Sequence, residues 1–157
     1  MSARPSLDLS TLLAAIAGDP DSWQPLVRFD AGSRHWARLV APPGIDLWLL
    51  TWLPDQATDL HDHGDAAAAI RVVRGQLSET RPDPQGRLTS RSLTAGATYD
   101  VPAGVIHDVL NPGTERAVSL HAYAPRLTHM TFWSAGPAGL RVERTVRTDE
   151  PELAVGA

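Results

Sequence analysis

The sequence predicts an all-β domain, a barrel or two-sheet sandwich, with one short helix ahead of it. Two observations carry this. From about Arg34 onward the chain breaks into many short segments rich in β-branched and aromatic residues, divided by turn signals at regular spacing. Ahead of that point, a single stretch has the apolar periodicity of a helix.

That stretch is "SLDLSTLLAAIAGD", in which Leu9, Leu12, Leu13 and Ile16 fall at helical spacing. Ser6 or Asp8 can cap it, and Gly18 before Asp19-Pro20 ends it. Strands are expected at "HWARLV", "IDLWLLTWL", "AIRVVRG", "QLSET", "RLTSRSL", "TYDVP", "VIHDVL", "AVSLHAY" and "RVERTVRT". Turns fall at Pro42-Pro43-Gly44, at residues 82–86 (PDPQG) and at Asn111-Pro112-Gly113. Residues 1–33 are therefore expected to form a helical segment packed on the barrel. Residues 34–148 form the barrel, and the acidic "DEPELAVGA", 149–157, a loose tail.

Bulk composition narrows the function. At 157 residues, with 43% hydrophobic and 20% charged side chains, the chain fits one soluble globular domain. No apolar run is long enough to span a bilayer and the start lacks a signal-peptide pattern, so a cytoplasmic location without a membrane partner is expected. With no cysteine, disulfides, thiolate metal sites and a cysteine nucleophile are excluded. A net charge of −4 and the lack of a basic stretch argue against nucleic acid. The expected partners are small molecules, and the expected assembly a monomer or small homo-oligomer.

The chemistry concentrates in "HDHGDAAAAIRVVRG", residues 61–75. His61 and His63 at i, i+2 on a strand face the same way, with Cα atoms roughly 6.5–7 Å apart, so both imidazoles can converge on one ion at about 2.1 Å. Alone the pair is a weak signal, since two histidines in a solvated loop beside Asp62 and Asp65 would look the same. A second stretch, "GATYDVPAGVIHDVLN", supplies context. Gly75 permits a tight turn or a positive φ, Pro102-x-Gly104 makes a rigid corner that delivers His107 toward the first pair, and Asn111 can close the next turn with its side chain.

These two stretches, in this order and about 30 residues apart, resemble the two motifs of the cupin superfamily, which implies a double-stranded β-helix, or jelly-roll, barrel. Cupins often carry a glutamate ligand four or five residues beyond the second histidine, where this chain has Ala67 and Ala68. The missing acid, "LHDHGDAAAAIRVVRGQLSET" and the later "AVSLHAYAP" resemble the cysteine dioxygenase, or thiol dioxygenase, family of bacterial type, over roughly residues 34–125. The resemblance implies that His61, His63 and His107 hold Fe(II), and that Ser119, His121 and Tyr123, each two apart on one strand face, stand beside it. It implies that Tyr123 directs a hydrogen bond at the reacting oxygen or the substrate carboxylate, held by His121, which Ser119 orients in turn. It also implies an arginine for a substrate carboxylate. "RHWARLV" offers Arg38, with Arg34 as the alternative, and the tyrosine often beside it is replaced by His35 or Trp36. Mammalian members carry a tyrosine-crosslinked cysteine at the position of Ala68, so no thioether can form here.

The missing acid has a chemical consequence. A ferrous site with two imidazoles and one carboxylate carries a net charge of about +1, and three neutral imidazoles leave about +2. In a poorly solvated barrel that charge favours an anionic ligand and lowers a thiol's pKa, so a thiol substrate can bind as thiolate without an added base. The expected function is an iron-dependent thiol dioxygenase, with O2 and a small thiol as partners, that converts L-cysteine to cysteine sulfinate. The alternatives are another small thiol such as 3-mercaptopropionate, a variant oxygenase with a different product, or a non-catalytic cupin holding zinc or nickel to bind a small ligand. His35 and His129 are expected at the surface or in packing, and Trp23, Trp36, Trp48, Trp52 and Trp133 in the core and rim.

Overall fold

The helix forms where the apolar spacing puts it. In the computed structural model, which describes residues 8–150, α1 spans Leu9–Ala17. Asp8 caps it by accepting a hydrogen bond from the Ser10 amide at 3.1 Å, and the Gly18 amide closes the last turn on the Ala14 carbonyl at 3.0 Å. The other capping candidate, Ser6, and tail residues 151–157 lie outside the described residues.

Among the described residues eleven strands follow, in antiparallel pairs. One sheet runs β1 (Trp36–Leu39), β2 (Asp46–Trp52), β9 (Ala117–Ala124), β4 (Ala67–Arg74) and β7 (Thr98–Val101). The opposite wall is two three-stranded runs. One is β11 (Gly139–Arg147), β10 (His129–Gly136) and β3 (His61–Asp62); the other is β6 (Leu88–Thr94), β5 (Gln76–Pro82) and β8 (Asp108–Leu110). A bridge between His61 and His107 joins these runs.

The inner strands β2 and β9 of the five-stranded sheet are buried on both faces, which is why β2 is mostly apolar rather than alternating. Trp48, Leu50 and Trp52 point into the barrel with Ala68, Ile70, Val72 and Tyr123. Leu47 and Leu49 point outward with Val118, Leu120 and Ala122, against Leu13 of α1 and Trp23. Each fully buried large apolar side chain contributes about 1.5–3 kcal/mol. The helix thus covers the back of the sheet and leaves its front to form the interior.

The sequence reading missed β10. Its buried residues are Met130 and Phe132, with small and polar side chains between. What makes it a strand is pairing on both sides, to β11 across the tight Gly136–Gly139 hairpin and to the two-residue β3 from far earlier in the chain.

Candidate metal centre

β3 pairs with β10 at His61 and Asp62, which turns His61 inward and Asp62 outward. The Asp62 carboxylate is used up there, accepting from the Gly64 amide at 2.9 Å and from Trp133 Nε1 at 2.8 Å. These bonds pin the turn that presents His63. His107 arrives by the Pro102–Gly104 corner: the Val105 amide bonds the Pro102 carbonyl at 3.1 Å and Gly104 takes φ +77. Its backbone then exchanges two 2.9 Å hydrogen bonds with His61.

All three rings are buried, with one ligand nitrogen from each lying within 4.8 Å of the others. Ring centroids are 4.8 Å apart for His61 with His63 and with His107, and 5.1 Å for His63 with His107. His61 Nδ1 donates to the Asp59 carbonyl at 2.6 Å, and His107 Nδ1 to Glu79 Oε2 at 2.8 Å, which leaves the Nε2 atoms to face one another. His61 Nε2 and His63 Nε2 are 3.0 Å apart. His107 Nε2 has no hydrogen-bond partner among the described residues. Imidazole lone pairs turned together inside an apolar barrel are costly unless a cation shares them, so the donor set fits a divalent transition metal. No acidic side chain is among the three groups that converge.

Burial, then the neighbouring His107, pushes His61 down to about 3; burial also holds His63 well below the ordinary histidine value. His121, buried beside them, is likewise pushed down to about 3. These rings are neutral at pH 7 and need release no proton to bind a metal. In the unfolded chain they take up protons near pH 6.5, so below that pH the unfolded state is favoured. Metal-free protein should therefore lose stability as pH falls from 6.5 toward 3, by on the order of 1 kcal/mol per pH unit from each of His61 and His121, with His63 acting in the same direction. A urea midpoint at pH 5.5 equal to that at pH 7.5 would contradict this burial.

On β9, Ser119, His121 and Tyr123 point into the interior. Ser119 Oγ accepts from Trp52 Nε1 at 2.9 Å and lies 2.7 Å from His121 Nε2. Tyr123 is fully buried and packs edge-on against His63, centroids 4.9 Å apart. It stands directly opposite Ala68, whose methyl group leaves the phenol room. The alanines otherwise pack, Ala66 inside the barrel and Ala69 toward the helix.

The two arginines occupy different places. Arg38, in register with Trp48, lays its guanidinium 4.3 Å over that indole and pairs with Asp149 at 3.6 Å, its side chain 48% exposed. Trp48 is in turn opposite His121, and its buried indole N–H has no hydrogen-bond partner among the described residues. Arg34 lies 5.0 Å over Trp52, donates to the Ala57 carbonyl, and its charge disfavours protonation of His61 and His121. A cavity of about 430 Å³ beside Arg34 reaches Trp36 and Leu50 on the barrel wall and Asp59 next to His61. His35 is half-buried with Nε2 3.3 Å from the Leu26 carbonyl, and His129 sits beside Gly64.

Sequence reasoning missed Glu79. In "QLSET" it looks like one polar residue of an ordinary strand, yet it is fully buried beside His107. Burial raises its pKa, but the hydrogen bonds from His107 and Arg81 outweigh that and hold it at about 2. The signal available in sequence was its spacing from Leu77, which puts a charge on the buried face of β5.

The model of the family described as cysteine dioxygenase type I matches residues 6–135. The chain is 28% identical over 155 residues to cysteine dioxygenase type 1 of Danio rerio, covering 81% of this chain and 76% of that one. It is 27% identical over 130 residues to the Rattus norvegicus protein of the same name, covering 75% of this chain and 64% of the relative, just under two thirds of its length. Among solved structures, a Klebsiella pneumoniae protein with a double-stranded β-helix domain superposes with a TM-score of 0.57 at 18% identity, over 77% of this chain and 93% of that one. The fold is therefore the cupin-type barrel that the motifs imply, and the chain belongs to the cysteine dioxygenase type I family.

Proposed function

We propose that this protein is an iron-dependent thiol dioxygenase that oxidises L-cysteine to cysteine sulfinate. The observation that supports it most is the group of three buried imidazoles with no acid among the converging atoms. His61, His63 and His107 would hold the ion. Bound iron(II) supplies the redox chemistry by which both atoms of O2 are added to sulfur, the thiol losing four electrons and the oxygen gaining them.

The chain's own residues then bind and orient. Three neutral rings leave the cation under-neutralised, which favours the substrate as thiolate. Arg38, stacked on Trp48, and the indole N–H of Trp48 are two donors on the wall that also carries His121, suited to a carboxylate. Tyr123 is read as the donor toward the reacting oxygen or the carboxylate, with Trp52, Ser119 and His121 fixing that side of the pocket.

Metal content of protein purified from cells, with oxygen uptake and product mass on a panel of cysteine, 3-mercaptopropionate and cysteamine, tests this. Iron and cysteine-dependent uptake giving the sulfinate are expected; zinc or nickel with no uptake on any thiol would overturn it. R38A should raise KM for the two carboxylate-bearing thiols roughly 10- to 100-fold, the worth of a charged hydrogen bond, and leave cysteamine unchanged. If R34A has that effect and R38A does not, the carboxylate role moves to Arg34.

A further inference from the structure

Among the described residues, Glu79 is the charged side chain that bonds a ring of the histidine cluster and that the proposed reaction leaves unused. It lies on β5 directly opposite Arg91 of β6 on one side and Val109 of β8 on the other, two residues beyond His107. Its Oε2 accepts from His107 Nδ1 at 2.8 Å and from Arg81 Nη2 at 3.1 Å. Its Oε1 accepts from Arg81 Nε and Arg91 Nε, both at 2.8 Å. Four donors converge on two oxygens in a group with no solvent exposure, so the carboxylate is ionised and immobile. A buried anion with this many partners is strongly specified: no apolar strand needs it, and its desolvation is tolerated only because every lone-pair direction is used.

We propose that Glu79 is the anionic positioning residue of the metal centre. It holds His107 with Nδ1 protonated and Nε2 bare toward the other two rings, and through that ring supplies part of the negative charge that a carboxylate ligand would have given. An acid among the ligands would occupy a position on the metal; an acid behind a ligand adds charge and leaves that position for substrate. The arginines explain why it stays behind. Arg81 and Arg91 pin the carboxylate in place behind His107, each within 2.8 Å of Oε1, so that it stays a partner of the ring and not a ligand. The inference rests on the three histidines binding a divalent metal, and does not require the thiol chemistry.

E79Q tests it, because glutamine keeps the size and an acceptor for Nδ1–H while removing the charge. The readouts are the anaerobic Fe(II) dissociation constant, by competition with a chelator, and the Fe(III)/Fe(II) midpoint potential. Folded E79Q is expected to bind Fe(II) roughly 10- to 100-fold more weakly, with a more positive potential. Arg91 is half-exposed, so R91Q should fold, and by unmasking the Glu79 charge it should shift both readouts the opposite way. Affinity and potential in folded E79Q matching the unsubstituted protein overturn the proposal; if E79Q does not fold, R91Q without a shift overturns it. Unsubstituted protein that binds no divalent metal removes this proposal together with the metal reading. Protein that binds iron but oxidises no thiol removes only the reaction and leaves the Glu79 comparison decisive.

Discussion

H107A is expected to reduce thiol-dependent oxygen uptake to background and to strip the protein of iron on dialysis. Among the described residues His107 contributes one of three converging ligand atoms, and the remaining pair, His61 and His63, comes from one short segment that cannot close a cage by itself. The variant also deprives Glu79 of one hydrogen-bond partner, at a cost of about 1–3 kcal/mol. That cost should not unfold the barrel, because Arg81 and Arg91 still hold the carboxylate and the His61–His107 bridge is made by backbone atoms. Circular dichroism unchanged, iron lost and uptake lost is thus the expected combination. H129A, which alters a histidine beside Gly64 and outside the cluster, serves as the control and should retain both iron and uptake. Iron content and oxygen uptake in H107A equal to the unsubstituted protein would overturn the assignment of the cluster.

What the spacing of residues made legible was whatever depends on short-range geometry, while His107, far along the chain from the first pair, was placed by the second motif and the resemblance. The i, i+2 spacing of 119/121/123 fixes which side chains share a face before any fold is known, and that of 61/63 brings two imidazoles together although the strand itself ends at Asp62. The helix was legible because Leu13 and its neighbours repeat at helical spacing behind a capping Asp8. What could not be read depends on partners far along the chain. Glu79 acquires its meaning from Arg91, twelve residues on, and His107, twenty-eight residues on, which meet only when β5, β6 and β8 are in register. Trp52 looked like core, and it is core, but its N–H also anchors Ser119 on a strand sixty-seven residues away. β10 was missed for a different reason: its hairpin partner β11 follows at once, but only Met130 and Phe132 are buried, too short an alternation to mark the strand.

The same distinction between local and long-range constraint separates two glycines, and substituting them should separate it by experiment. Gly75, at the turn from β4 into β5, has φ +74, and Gly104, in the corner before His107, has φ +77, so an alanine at either incurs about 1–2 kcal/mol from the left-handed backbone. Against that, alanine reduces the freedom of the unfolded chain by about 0.4–1 kcal/mol. G104A should therefore cost little, since a Cβ there meets nothing within 4 Å. At Gly75 the new Cβ would fall 2.6 Å from the Arg116 carbonyl oxygen and 3.0 Å from Ala117 Cα, and those are backbone atoms of the segment entering β9. Relieving that overlap means shifting a main chain, an overpacking cost of about 1–3 kcal/mol on top of the φ term. G75A is expected to lose about 2–4 kcal/mol, which in a chain of this size lowers Tm by roughly 5–15 °C, while G104A should stay within a few degrees. The larger loss has a functional side as well: the Gly75 turn sets how β5 leaves β4, and β5 is the strand that carries Glu79 to His107. G75A should thus also retain iron more weakly than G104A after dialysis, although Gly104 is much the closer to His107 in sequence. Equal melting temperatures for the two variants would mean that the backbone approach at Gly75 does not constrain the barrel.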